Sequence, residues 1–342
     1  MSDSVFTVVD LGGTTLRIAR YDTATREVGD VRRVPTAGLA GHPGTSAAGL
    51  QSKVVEQLCA LAADAVRRHG STAFGVAFAG PVTADGRVLA APTVWGGGGE
   101  PVPLRLLLEE RLGVPVVVVN DLTAAVWRYV EGPDQQPFCL ITVSSGIGCK
   151  VYRAGEVLLD ADGHGGELGH WTCDPSPDAP LCDCGGRGHL GGIASGRGTL
   201  AAARRAAHAD PDGYARSALA QAAPDPEGLD NPAFAAAVRG GDPFATTVLR
   251  GGLAHLASAV TAVFTSIGVR RYVLMGGFAL ALGPHCVRLL GEELERLGCF
   301  GLDAAEIRRM VVLGAPDDDH GLVGAGRLLA ARGAARTAVT AA

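Results

Sequence analysis

Lysine and aromatic side chains are scarce in this chain of 342 residues: Phe, Trp and Tyr make up 5% and all charged residues 19%. The formal net charge is −5 and no dense Lys/Arg run relieves it, so nothing favours a nucleic-acid partner. No uninterrupted apolar stretch reaches the roughly 18 residues of a membrane span. Met1-Ser2-Asp3-Ser4 runs into a strand-like segment without a basic n-region or long apolar h-region, so no signal peptide and no membrane partner are expected. There is no G-x-x-x-x-G-K-[ST], which excludes a P-loop. Gly186-Arg187-Gly188-His189-Leu190-Gly191 fits G-x-G-x-x-G, but it follows Cys-Asp-Cys-Gly and not a strand, so it lacks the context of a dinucleotide site. Of the eight cysteines, Cys59, Cys139, Cys149, Cys286 and Cys299 are scattered in mostly apolar surroundings and read as reduced core residues of a cytoplasmic protein.

What is present is largely apolar, 47% of the chain, ample for two domains of roughly 100–200 residues each. The abundance of Ala, Gly and Arg reads as a GC-rich genome bias. Val5–Asp10 and Leu16–Tyr21 read as two strands joined at Gly12-Gly13. Residues 46–69 have helical spacing and stop at Gly70; Phe74–Phe78 is a further strand, closed by Gly80-Pro81. Leu104–Leu112 is a short helix, Val116–Val119 a buried-type strand, and a helix is expected from Thr123. From Phe138 the strand–turn–strand pattern restarts, which suggests duplicated α/β halves. Residues 155–198 are rich in Gly, Asp, Pro, Cys and His, as in a functional excursion. Helices follow, ending in a long apolar one over Val248–Ile267, then a strand at Tyr272–Met275, a turn at Gly276-Gly277, a helix over Gly321–Arg332 and a frayed tail beyond Arg336.

Two turns have the composition of phosphate cradles. Phosphate oxygens need several N–H and O–H donors at close range, and glycine lets backbone approach that tightly. Gly12, Gly13, Thr14 and Thr15 offer this once; Ser144, Ser145, Gly146 and Gly148 offer it again. Either turn alone could be an ordinary hairpin bend; two in matching positions point to phosphoryl transfer. Arg17 either adds charge there or is a solvated strand-edge residue. Asp10 would repel bare phosphate, so it is assigned to a hydrated Mg²⁺. Asp121 ends the valine strand after Asn120, where it could take the proton of an attacking hydroxyl, or simply cap the next helix. Four N/S donors suited to tetrahedral Zn²⁺ are available in His170, Cys182, Cys184 and His189, with Cys173 and His164 as rivals. The Cys-x-Cys spacing is tighter than usual, and no water-activating role is needed, so such a zinc would be structural.

These stretches together resemble the ROK family (repressors, open reading frames and sugar kinases) over essentially the whole chain. The match runs through D-x-G-G-T at Asp10–Thr14, Gly80-Pro81, Asn120-Asp121, S-G-I-G at Ser145–Gly148, G-E-x-G-H at Gly166–His170, C-x-C-G-x-x-G at Cys182–Gly188 and Gly276-Gly277. The resemblance implies an actin-like (ribonuclease H-like) ATPase fold of two α/β domains with a cleft between them. Residues 1–122 would carry the first turn and the base. Residues 123–320 would carry the second turn, the zinc loop and the adenosine turn, and residues 321–342 a helix returning to the first domain. It further implies ATP and Mg²⁺, Asp121 as base, a structural Zn²⁺ and a homodimer. Asn120, Glu167 and His170 would grip sugar hydroxyls beside Gly80, Pro81 and position 93, and Gly276-Gly277 would lie by the adenosine.

Three positions depart from the family pattern. After C-x-C-G-x-x-G the family usually reads Cys-Leu-Glu; here the residues are His189, Leu190 and Gly191. Histidine preserves a zinc ligand. Glycine removes a carboxylate that ordinarily binds near the anomeric end of the sugar, and a usual Asn becomes Thr93. A site that loses such acceptors should lose its preference for glucose or mannose. The expected acceptor is therefore a cyclitol, a carbocycle bearing an exocyclic CH₂OH, as in the C7-cyclitol kinases of aminoglycoside-like antibiotic biosynthesis. An ordinary hexose kinase is the alternative and a non-catalytic sugar sensor the second. A repressor is disfavoured by the acidic charge and by the few residues before Asp10.

Overall fold

The computed structural model describes residues 4–132 and 134–340, with 334–340 as backbone only. The leaderless start expected at Met1–Asp3 and the end of the expected C-terminal segment, 341–342, lie outside the described residues. The chain divides into two compact units: one runs to Asp134 and takes in Leu159–Gly165 and the chain from Asp317; the other comprises Gln135–Leu158 and Gly166–Pro316.

The first unit is built on β1 (Val5–Leu11), β2 (Thr15–Asp22), β3 (Val28–Pro35), β4 (Ala73–Phe78) and β5 (Val116–Asn120), ordered β3-β2-β1-β4-β5. The β1–β2 and β2–β3 pairs are antiparallel, whereas β1–β4 and β4–β5 are parallel. Alternation along β1 and β2 sends Val9, Leu11, Leu16 and Ile18 to one face and Phe6, Val8, Ala19 and Tyr21 to the other. The helix Ala47–His69 covers the first face with Leu50, Val54 and Leu58, one residue per turn. Ser46 accepts the Gly49 amide at its start, and Gly70 ends it in the left-handed conformation at φ 63°. The second face is covered by Leu322, Ala325 and Leu329 of the helix His320–Thr340, which continues through the tail expected to fray.

The second unit repeats the plan. Its strands are β6 (Phe138–Val143), β7 (Ile147–Arg153), β8 (Glu156–Val157), β9 (Tyr272–Met275) and β10 (Val311–Leu313), ordered β10-β9-β6-β7-β8. Its β6–β7 and β7–β8 pairs are antiparallel and its β6–β9 and β9–β10 pairs parallel. Order and strand senses match the first sheet, so the duplication hinted at by the two hairpin openings is present in the topology. The helix Pro243–Ile267 is long and apolar enough to cross a bilayer, but Leu249, Leu253, Leu256 and Val260 are buried in this unit's core. Cys139, Cys149, Cys286 and Cys299 are also buried and Cys59 half-buried, all as free thiols.

Close contact locks the C-terminal helix in place. A Cβ on Gly324 would sit 1.8 Å from the Ala124 carbonyl oxygen, in the helix Asp121–Trp127. Only glycine lets two helix backbones meet there. Gly324→Ala should lower stability by about 3 kcal/mol, the upper range for an overpacked contact. Gly333→Ala, with nothing within 4 Å of the added methyl, should be neutral or slightly stabilising. Urea denaturation of the two variants measures the difference.

Candidate active site

In the first unit the β1–β2 bend is clamped from two sides. The Gly12 amide donates to the Thr15 carbonyl at 3.0 Å, and Thr36 donates its hydroxyl to the Gly12 carbonyl at 2.8 Å and its amide to Thr14 at 3.0 Å. A Cβ on Gly13 would lie 2.3 Å from the carbonyl oxygen of Thr93, so the chain at position 93 buttresses the bend by its backbone while the Thr93 side chain stays exposed. Among the described contacts the Gly13 amide and Thr14 hydroxyl take no protein partner, as a phosphate cradle requires.

Asp10 is the penultimate residue of the same strand. Its side chain is 16% exposed and meets Arg17 Nη1 at 2.9 Å, while Arg17 Nη2 holds Asp318 at 2.9 Å. Arg17 is thus a bridge between two carboxylates and not a solvated edge. A Cβ at position 321 would come within 2.8 Å of the Asp10 carboxyl carbon, so glycine makes room for it at the start of the C-terminal helix. Burial, then the negative charge of Asp121, pushes the Asp10 carboxyl up to about 6 despite Arg17.

Asp121 opens a helix directly from β5, two residues before the sequence pattern starts one. The cap is its neighbour: Asn120 Oδ1 accepts the amides of Leu122 and Thr123 at 3.0 and 3.2 Å. Asn120 Nδ2 donates to the Gly80 carbonyl at 3.0 Å and to Asp121 Oδ1 at 2.8 Å, and the Leu122 amide reaches the same oxygen at 2.9 Å. Asn120 therefore caps the helix and holds Asp121, whose carboxylate is not used as the cap. Gly80 approaches the Ala90 carbonyl so closely that a Cβ would lie 2.3 Å from it, and the Pro81 carbonyl accepts the Leu89 amide at 3.0 Å.

The second unit carries the other turn. The Ser144 amide donates to Gly146 at 2.9 Å, and the Gly196 amide to Ser144 at 2.8 Å; Ser145 is exposed and Gly148 pairs with Thr142 across the hairpin. Gly276, at φ 93°, lies where a Cβ would be 2.5 Å from the Thr142 hydroxyl, and a Cβ on Gly277 would be 3.9 Å from Ser144 Oγ. The Ser144–Gly148 and Gly276-Gly277 turns are therefore neighbours.

Past β7 the chain lies directly on that strand: a Cβ at position 166 would be 2.1 Å from the Cys149 carbonyl oxygen, and one at 169 would be 1.9 Å from that of Ile147. This presents Glu167, 60% exposed, with Oε1 3.2 Å from the ammonium of Lys150, itself 5% exposed. The sequence reading missed Lys150. The available signal was a lysine inside an apolar strand of a chain that has only one other, Lys53.

His170, Cys182, Cys184 and His189 come together, one ligand atom from each lying within 4.8 Å of all the others. His170 Nδ1 is 3.9 Å from Cys182 Sγ and His189 Nδ1 is 3.2 Å from Cys184 Sγ, the separations of donors around one small ion. Two thiols and two imidazoles suit Zn²⁺. Cys173 instead directs its thiol to the Gly188 carbonyl at 3.5 Å, burial pushing it up to about 11, and His164 pairs with Asp160.

Comparison with known proteins gives this geometry a context. The ROK family model matches residues 6–332. The chain belongs to the ROK family. It is 56% identical over 336 residues to a C(7)-cyclitol 7-kinase of Streptomyces hygroscopicus subsp. jinggangensis, covering 97% of this chain and 95% of that one. It is 32% identical over 305 residues to a 2-epi-5-epi-valiolone 7-kinase of Actinoplanes sp., covering 86% and 83%. Among solved structures, a ROK family glucokinase from Streptomyces griseus in complex with glucose and AMPPNP superposes with a TM-score of 0.72 at 26% identity, covering 95% of this chain and 99% of that one. The fold is thus the actin-like sugar-kinase fold of that family.

Against the family pattern, position 191 is the sharpest departure. Gly191 is buried in the helix Leu190–Ala194, and a Cβ there would meet the Gly169 carbonyl oxygen at 3.1 Å. That contact is tight, so any side chain at this position would need the 166–170 segment to shift by a few tenths of an ångström.

The raised Asp10 carboxyl has a stability consequence. Because its folded value lies above the unfolded one near 3.8, the native state binds this proton more tightly, and stability falls as pH rises from about 4 through 6. Asp10→Asn should therefore stabilise the metal-free protein at pH 7 by about 1–3 kcal/mol, with the gain vanishing near pH 4. Denaturation curves at the two pH values test this.

Proposed function

We propose that this protein is an ATP-dependent kinase that phosphorylates the exocyclic CH₂OH of a C7-cyclitol. The 56% identity to a C(7)-cyclitol 7-kinase across 97% of the chain carries the reading. The pinned carboxylate of Asp121 and the two donor-rich turns supply its chemistry.

The acceptor hydroxyl attacks the γ-phosphorus; its O–P bond forms as the bond from that phosphorus to the β–γ bridging oxygen breaks, and ADP leaves. Asp121 Oδ takes the hydroxyl proton. Asn120 and the Leu122 amide fix the carboxylate, so little reorganisation is needed at the moment of transfer. Gly12, Gly13, Thr14 and Thr15, with Ser144, Ser145, Gly146 and Gly148, donate to phosphate oxygens, and Gly276-Gly277 lets the adenosine approach the second turn. Asp10 would hold a hydrated Mg²⁺, which would supply positive charge against the phosphates. In the second unit Glu167 accepts from an acceptor hydroxyl, and His170, with one ring nitrogen given to the metal, donates its other N–H to an acceptor oxygen; Gly80, Pro81 and Thr93 are assigned to the acceptor in the first unit. The enzyme is assigned to the cytoplasm, where ATP is the donor, and to a homodimer.

ADP release with Mg·ATP should be confined to C7-cyclitols of the valienone or valiolone type, with glucose, mannose and N-acetylated hexosamines turned over far more slowly. Asp121→Asn should lower kcat by about 10²–10⁴. Equal turnover of glucose would leave an ordinary hexose kinase, and a fully active Asp121→Asn would remove the base.

His170, Cys182, Cys184 and His189 would hold one Zn²⁺ that shapes the 166–192 loop and takes no part in the chemistry. Metal analysis of the purified protein should give one zinc per chain, and Cys184→Ser should reduce that content and lower Tm. Retention of full zinc by Cys184→Ser would refute the ligand set.

A further inference from the structure

We propose that Lys150 is a positioning residue for acceptor recognition: it anchors one oxygen of Glu167 from beneath, so that the rest of that carboxylate is presented to a hydroxyl of the substrate. This inference rests on the assignment of Glu167 to the acceptor.

The observation is a buried cation paired with an exposed anion. Lys150 stands on β7 between Cys149 and Val151, which turn into the core, so its own side chain emerges on the opposite face of the sheet. Its side chain is 5% exposed, and its ammonium lies 3.2 Å from Glu167 Oε1. A buried ammonium is tolerated only when paired and hydrogen-bonded, so the pair fixes both groups. The Glu167 side chain is 60% exposed.

Among the described contacts the side chain of Glu167 has no other anchor. Gly165, Gly166 and Gly169 have no side chains, and the backbone contacts of Gly166 and Gly169 with Cys149 and Ile147 hold only the main chain. A glutamate has three side-chain torsions, and without Lys150 each would be free to turn in solvent. Gly191 sharpens the demand: the helix Leu190–Ala194 offers no carboxylate of its own at that position, so the 166–170 segment depends on Glu167 as its acceptor of hydroxyl protons. Lysine provides a compact charge that reaches one oxygen, whereas arginine would claim both in a fork and leave none for substrate.

Lys150→Met keeps length and burial while removing the charge, and a buried apolar side chain is well tolerated where an ion pair stood. Its KM for the cyclitol should rise at least ten-fold, with KM for ATP within two-fold of wild type. Glu167→Gln should raise the cyclitol KM similarly, and the double variant should be no worse than the worse single one. Lys150→Arg should recover stability but not the cyclitol KM, which keeps the test open if Lys150→Met fails to fold. A folded Lys150→Met with an unchanged cyclitol KM, additive effects in the double variant, or an equal rise in the ATP KM would each overturn the proposal. If Glu167→Gln raises the cyclitol KM and Lys150→Met does not, the inference alone fails. If Glu167→Gln leaves the cyclitol KM unchanged, the assignment of Glu167 falls, and the role of Lys150 falls with it.

Discussion

Two carboxylates held near one another in the first unit set the terms for the chemistry. Asp10 lies next to the end of β1 and Asp121 follows β5, with only β4 between those strands. Their mutual repulsion and the burial of Asp10 are opposed at Asp10 by Arg17, which also binds Asp318. Such a pair stays unfavourable until positive charge arrives, so it suits a site that receives a nucleotide together with a divalent cation. The surrounding structure serves this constraint. Gly321 yields space to Asp10, Asn120 uses all its hydrogen-bonding groups on the Asp121 helix and on Gly80, and Gly324 presses the C-terminal helix onto Ala124. Stability is given up locally to keep a charged site ready, as is usual where function demands strain or repulsion.

Much of the framework was legible because it follows short-range rules. Alternation marked the two hairpins, and Gly70 and Gly113 marked helix ends, since a left-handed residue after the last turn is nearly always glycine. The start of the Asp121 helix was misread by two residues: Asp and Asn are both good caps, and sequence does not say which of two adjacent side chains turns back. The long apolar helix began five residues before its visible periodicity, at Pro243, where Asp242 supplies the cap. What sequence could not give was long-range. That Thr93 touches Gly13 through its backbone, or that Gly276 packs on Thr142, depends on approaches between segments far apart in the chain.

The Cys/His excursion shows the same division. Composition singled out a loop with metal-binding side chains, yet spacing left Cys173 and His164 open as donors. The isolated bridges Thr172–His189 and Leu181–Arg187 fold the loop back on itself, bring His170 and His189 within 5.8 Å centroid to centroid, and leave Cys173 bonded to Gly188. Lys150 escaped notice for a related reason: a strand lysine is usually read as a solvated edge. Its burial depends on where the 166–170 segment lies, and glycines 166 and 169 decide that through backbone contact alone.

The departure at position 191 follows the same logic in reverse. If Gly191 were merely a glutamate cut short, an open space would remain in front of it. Instead the Gly169 carbonyl stands 3.1 Å from the point a Cβ would occupy, a tight approach that would need the 166–170 segment to shift by a few tenths of an ångström. A side chain there would press on the Gly169 carbonyl, in the same short segment as Glu167 and His170. Under the proposed reading, acceptor choice is a property of a packed unit comprising β7, the 166–170 segment and the helix Leu190–Ala194. Lys150 ties that unit to its one presented carboxylate. Under the proposed reading a hexose would find no carboxylate at position 191 for its anomeric hydroxyl, whereas a carbocycle, which has no such hydroxyl, would lose nothing by the exchange.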